Sequence, residues 1–123
     1  MTISTLDAAA RAWAVVCLAD GRLVPLEERR FLSFAASDAA FAEMSPAEAA
    51  AAWLRAYEAV SGGPDYSRFL PGIADAVAGS VHAPAVVMRA AQAALIADRI
   101  EAPQETGAIQ ALARAMGLDP AGY

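Results

Sequence analysis

The sequence predicts an all-α fold, a single compact bundle of six or seven helices formed by residues 1–123 as one domain. Alanine, the best helix former, supplies 34 of the 123 residues, so the hydrophobic fraction reaches 58% with only 7% aromatics. β-Branched and aromatic residues never alternate over a strand-length run, and no hairpin turn lies between two such runs. A chain of this length can bury one core, and no low-complexity linker divides it.

Two helices are expected in the N-terminal third. The first begins after Ser4 or Thr5 and ends near Asp20-Gly21. Its buried stripe consists of apolar residues at spacings of four, three and four: Leu6, Ala10, Trp13 and Cys17. The second helix starts at Pro25, where the missing N–H costs nothing. Its apolar contacts come from Leu26, Phe31, Leu32 and Phe34.

The third helix has the clearest start in the chain. Ser45 as N-cap, Pro46 in the first turn and Glu48 three residues after the cap predict a capping box. The side chains expected on its inward face are Trp53, Tyr57 and Val60.

Three further helices complete the predicted bundle. The fourth starts at about residue 66 and closes at Gly79. A long apolar helix spans about residues 83–97. The last spans about residues 103–116 and ends at Gly117, a favourable left-handed C-cap.

Composition excludes several classes of function. The net charge of −5 and the pI near 4.7 argue against nucleic-acid binding, because the nine basic residues are scattered arginines and form no basic face. The absence of lysine excludes Schiff-base chemistry and the lysine of nucleotide-binding loops. One cysteine, Cys17, and one histidine, His82, exclude an intrachain disulfide and a three-histidine zinc site. Because Ser80 near His82 has no evident third partner, we expect no enzymatic activity.

The sequence also predicts a cytoplasmic protein. No apolar run approaches the roughly 18 residues of a membrane span, and Asp7 stands where a signal peptide would carry basic residues. Cys17 falls on the apolar side of the first helix, which predicts a buried, inert thiol in a reducing compartment.

Two stretches of the chain form an apparent internal repeat. With an offset of 78 residues and no gap, four positions in residues 19–27 are identical to their counterparts in residues 97–105. The matched pairs are Ala19 and Ala97, Asp20 and Asp98, Pro25 and Pro103, and Glu27 and Glu105. In both stretches a predicted helix ends at Ala-Asp, a bend follows, and Pro-x-Glu begins the next predicted helix. Arg99 stands in place of Gly21, so the second bend adopts positive φ less easily.

The acids of the two bends have two interpretations. Asp20 and Asp98 end helices, where the helix macrodipole disfavours a carboxylate by roughly 0.3–1 kcal/mol, so something must compensate. As structural anchors, the aspartates accept backbone N–H bonds, while Glu27 and Glu105 bond back to the N-caps of the following helices. As ligands, Asp20 and Glu27 offer oxygens to a hard divalent cation, with Glu28, a backbone carbonyl and waters completing the site.

The first stretch, Ala19-Asp20-Gly21 followed by Pro25 and Glu27, is similar to the signature of the TerB-like family, named for tellurite-resistance proteins. In that family an Ala-Asp-Gly bend and a later glutamate close a helical hairpin, and the unit recurs near the C-terminus. The resemblance implies an all-α bundle with two pseudo-repeated hairpins and a non-enzymatic role in bacterial stress responses to tellurite and other chemicals. It also implies a membrane-associated assembly or another protein partner.

The resemblance further implies a cluster of acids, and metal sensing has been suggested for the family. Its acidic positions correspond to Asp20, Glu27, Asp98 and Glu105. With Glu28 added, these acids form the predicted site for a divalent cation, Ca²⁺, Mg²⁺ or Mn²⁺.

The alternative function is a protein-interaction or oligomerisation module, similar to a co-chaperone domain, in which the acids are purely structural helix anchors. Aromatic residues with helical spacing belong mostly in the core, but six small helices can leave an aromatic patch exposed for a partner. The residues concerned are Trp13, Trp53, Tyr57, Tyr66 and Phe69. The position of Trp53 relative to the surface distinguishes core packing from an interface.

Overall fold

The computed structural model describes residues 4–19, 27–60, 66–97 and 103–119. Within these ranges the chain is all-α, as predicted, with six α-helices, two 3₁₀ turns and no strand. The helices are α1 (Thr5–Ala19), α2 (Glu27–Ser37), α3 (Pro46–Val60), α4 (Leu70–Val77), α5 (Ala83–Ala97) and α6 (Pro103–Ala115). The 3₁₀ turns are Ala39–Phe41, between α2 and α3, and Tyr66–Phe69, before α4.

Helix α1 is the centre of the bundle. It packs most extensively against α5 and α3, and it also contacts α4 and α6. The predicted stripe on α1 is buried, but it understates the packing, because this helix is buried on nearly every side. The fully buried small residues of α1 and α5 are Ala8, Ala9, Ala10, Ala12, Ala14, Ala90, Ala91 and Ala94. Side chains of this size let two helix backbones approach closely, so alanine here serves packing as well as helix propensity.

An aromatic cluster fills the space between α1, α2 and α3. The ring centroids of Trp13 and Phe31 are 5.9 Å apart, and Phe31 stacks against Trp53 at 5.7 Å. Trp13 and Trp53 are buried, which confirms that they belong to the core and shows that neither forms the exposed aromatic patch considered as an interface. Tyr57 and Phe69 are only partly buried and pack against this core from its edge.

Side-chain caps and glycines mark the helix ends where the sequence predicted them. The Ser4 hydroxyl accepts the N–H of Asp7 at the start of α1. The capping box of α3 is confirmed, since the Ser45 hydroxyl accepts the N–H of Glu48 at 3.1 Å. Gly79 and Gly117 have φ of 85° and 76°, the left-handed conformation that favours glycine after a helix.

The two predicted bends lie outside the described residues. Asp20, Gly21 and Pro25 belong to residues 20–26, and Asp98 and Arg99 belong to residues 98–102. The pseudo-repeat of two hairpins therefore stays a prediction, although α6 does begin at the expected position 103. No helix in the described ranges combines the length and apolar character needed to cross a bilayer.

Candidate functional site

Glu27, one of the predicted metal ligands, is held inside the fold by two hydrogen-bond donors. It is the first residue of α2 and is 2% exposed. Its Oε2 accepts a hydrogen bond from the Trp13 indole Nε1 at 3.2 Å, and its Oε1 accepts one from the Arg30 guanidinium at 2.8 Å. A buried carboxylate needs such partners, because removing it from water without them is costly. Glu27 therefore links α2 to α1 through Trp13, whereas the sequence predicted a bond back to the N-cap of α2.

Glu28 faces a different neighbour. It is partly buried and lines a groove between α2 and α3, whereas Glu27 bonds to α1. Among the described residues, no three His, Cys, Asp or Glu side chains lie together as a potential metal site. Asp20, Asp98 and the side chain of Glu105 lie outside the described part, so the cation site at the bends stays a prediction.

A groove between α2 and α3 has a volume of about 460 Å³. Its lining residues are Glu28, Ala50, Ala51, Trp53, Leu54 and Tyr57. Alanines at positions 50 and 51 leave room that longer side chains would fill. The floor includes Trp53, which is 3% exposed, and Leu54 stands at the rim with 56% of its surface exposed. The result is an open apolar depression on a rigid pair of helices.

A second, smaller groove of about 60 Å³ continues along the same two helices. Its lining residues are Leu32, Ala35, Ala36, Met44, Ser45, Pro46 and Ala49. Helices α2 and α3 are antiparallel, because Glu28 shares the first groove with Leu54 while Ala35 shares the second with Ala49. We call the two grooves together the α2–α3 seam. On α2 the two grooves are about seven residues apart, or roughly 11 Å.

Two ion pairs hold the α2–α3 unit against the rest of the bundle. Arg55 of α3 bonds to Asp7 of α1 at 2.8 Å, and Arg89 of α5 bonds to Asp38, just before the 3₁₀ turn, at 2.9 Å. The hydrogen bond from Arg89 is the main reason that the pKa of the Asp38 carboxyl lies below its usual value. Burial acts to raise the pKa of Asp7, but hydrogen bonds from Arg55 and Ser4 outweigh it and lower the pKa.

The seam combines an apolar floor with one carboxylate, Glu28. Residues 27–60 contain six acids and three arginines, and two of those arginines, Arg30 and Arg55, pair with Glu27 and Asp7. Among the described residues that line the two grooves, Glu28 is the only charged one. An arrangement of this kind can bind an apolar group that carries a positive charge.

The seam was not predicted from the sequence. Glu28 was singled out for its charge and Trp53 for its size, but the depression depends on Ala50, Ala51 and the exposed Leu54. A usable signal was present, since a run of four alanines, residues 49–52, precedes Trp53 on α3, and positions 50, 54 and 57 lie on one helix face. His82 is exposed just before α5 and lines neither groove. Comparisons of the chain with protein-family models, with curated proteins and with solved structures gave no match.

Proposed function

We propose that this chain is a non-enzymatic protein-interaction module whose α2–α3 seam binds one face of an amphipathic helix from a partner protein. The observation that carries the proposal is the open groove of about 460 Å³, with an apolar floor and an exposed leucine at its rim. Helix-in-groove recognition uses apolar anchors on one helix face that enter hydrophobic depressions.

The dimensions of the seam fit such a helix. Grooves roughly 11 Å apart match side chains at positions i and i+7, which lie two turns apart on one helix face. Of the four large hydrophobic side chains that stand exposed in the described residues, Met44 borders one groove and Leu54 the other. Burying a leucine-sized anchor contributes about 1.5–3 kcal/mol, so two anchors contribute about 3–6 kcal/mol and support a weak, transient complex with a Kd of roughly 40 µM at the tightest.

Charge favours a different protein over a second copy of this chain. The whole chain carries a net charge of −5, and residues 27–60 hold twice as many acids as arginines. Two copies that met through this seam would bring like charges together, whereas a basic partner would be attracted to it.

The TerB-like stress-response function rests on the sequence motif and makes a different prediction. A cation bound at the bends would raise the melting temperature of metal-stripped protein in Ca²⁺, Mg²⁺ or Mn²⁺, and Asp20→Asn would abolish that rise. If none of the three cations raises the melting temperature of the wild-type protein, the interaction module, with acids that serve as helix anchors, explains the sequence better.

The test of the interaction module is selection of helical peptides from a displayed library against the wild-type protein, followed by affinity measurement with fluorescence anisotropy. We expect Leu54→Glu to weaken the selected peptides about tenfold or more, because a charge at the rim opposes apolar docking. The matched control is Val81→Glu, which places the same charge on an exposed residue between α4 and α5 and should leave affinity unchanged.

Thermal unfolding of both variants shows whether each is folded. Peptides that bind Leu54→Glu as tightly as wild type would contradict the proposal, and so would a library that yields no binder for the wild-type protein.

A further inference from the structure

Glu28 is a carboxylate at the edge of an apolar groove with no bonding partner in the described part of the chain. Its neighbour Glu27 has two donors, Glu48 bonds to Ser45, and Asp7 and Asp38 each pair with an arginine. Glu28 stands in the first turn of α2, where the positive end of the helix dipole already favours its charge. That role does not require the side chain to line the groove.

A partner helix that lies in the groove removes water from Glu28. A carboxylate covered in this way must receive a new hydrogen-bond donor, because a buried charge without a partner is strongly disfavoured. Arginine meets this need well, since its guanidinium bonds to a carboxylate through two N–H groups and its stem packs on apolar surface. The same physics rejects helices that would place an acid at this position.

The charge is present at one end of the seam only. The second groove, near Ala35 and Ala49, has no charged residue among its described lining. A partner helix with its basic residue beside one of its two anchors therefore fits in one direction and pairs poorly in the other.

We infer that the partner helix carries an arginine or lysine beside the apolar anchor that enters the first groove, and that Glu28 binds this residue and so sets the direction of the helix. This inference rests on the proposed interaction function. It adds the partner's chemistry and orientation to that function.

The test uses three synthetic amphipathic helices with leucine anchors seven residues apart. They carry arginine beside the first anchor, arginine beside the second anchor, or glutamate beside the first. We expect each arginine peptide, in the direction that places its arginine at Glu28, to bind wild type about tenfold more tightly than the glutamate peptide. Glu28→Gln should remove this preference, and Glu28→Arg should invert it in favour of the glutamate peptide.

The matched control is Asp75→Asn, which removes one negative charge from an exposed position on α4. It should leave the peptide preference intact. If all three peptides bind wild type and Glu28→Gln equally while Leu54→Glu still abolishes binding, the inference about Glu28 fails and the interaction function stands. If none of the three peptides binds wild type, both fail.

Discussion

At the scale of single residues, the buried contact between Glu27 and Trp13 joins α2 to α1 through a carboxylate and an indole N–H. The sequence analysis marked Glu27 as an acid with a special role and offered an anchor or a ligand. Its bond with Arg30 follows from a spacing of three residues on one helix, which sequence rules cover. Its bond with Trp13 spans fourteen residues and depends on how two helices pack, so no local spacing rule predicts it.

Replacing Glu27 with alanine should destabilise the protein by about 2–3 kcal/mol. The change leaves the Trp13 N–H buried without an acceptor, which costs about 1–3 kcal/mol, and removes the carboxylate bonded to Arg30, which adds up to about 1 kcal/mol because the Arg30 side chain is 38% exposed. Urea denaturation at pH 7 measures the difference in the free energy of unfolding.

Glu27→Gln and Trp13→Phe complete the experiment. The glutamine keeps an acceptor oxygen for Trp13 but loses the charge, so it should cost about 1 kcal/mol. Trp13→Phe removes the donor, and combining it with Glu27→Ala should cost less than the sum of the single changes. A Glu27→Ala protein as stable as wild type would show that this contact does not anchor α2.

At the scale of elements, most helix starts and stops were predictable because they depend on residues within one turn, although α4 starts at Leu70 and the predicted start at residue 66 lies in a 3₁₀ turn. The capping box of α3 and the glycines after α4 and α6 lie where the sequence placed them. The 3₁₀ turn Ala39–Phe41 was not predicted. Asp38 caps it by accepting the Ala40 N–H at 2.9 Å, yet two alanines after an aspartate carry little local signal. The second partner of Asp38 is Arg89, which is fifty-one residues away in the sequence.

The Asp38–Arg89 ion pair should make stability depend on acid pH. Because the pKa of folded Asp38 is lowered, chiefly by the Arg89 hydrogen bond, the pair stabilises the protein above the unfolded pKa near 3.9. That stabilisation is lost as the pH falls through the lower, folded pKa. We expect Asp38→Asn to be less stable than wild type by up to about 1 kcal/mol at pH 7, since Arg89 is half exposed, and the gap to close below about pH 4.

Urea denaturation of both proteins at pH 7, 5, 4 and 3 measures this gap. Losses from other acids such as Asp7 occur in both proteins and cancel in the difference. Arg89→Gln removes the same pair from the other side and should show the same closing gap. A gap that stays constant from pH 7 to pH 3 would exclude the ion pair as its cause.

At the scale of the whole molecule, the fold class was predictable and the arrangement of helices was not. Alanine content and the lack of strand patterns were sufficient for an all-α bundle. Periodicity assigns each helix a buried stripe but does not say which helices meet, so the central position of α1 was not foreseen. The α2–α3 seam was missed for the same reason, because Glu28 and Leu54 share a groove only once two distant segments pack.

The alanines of α1 should tolerate little increase in size. Ala12 is fully buried in the central helix, so Ala12→Leu forces extra methyl groups into a packed core and should cost about 1–3 kcal/mol. For a chain of 123 residues this corresponds to a melting temperature lower by roughly 4–12 °C, measured by circular dichroism. The matched control is Ala59→Leu on the exposed face of α3, which should change stability by no more than about 0.5 kcal/mol. If Ala12→Leu has the same melting temperature as Ala59→Leu, the centre of the bundle is loosely packed, and alanine is present there for helix propensity alone.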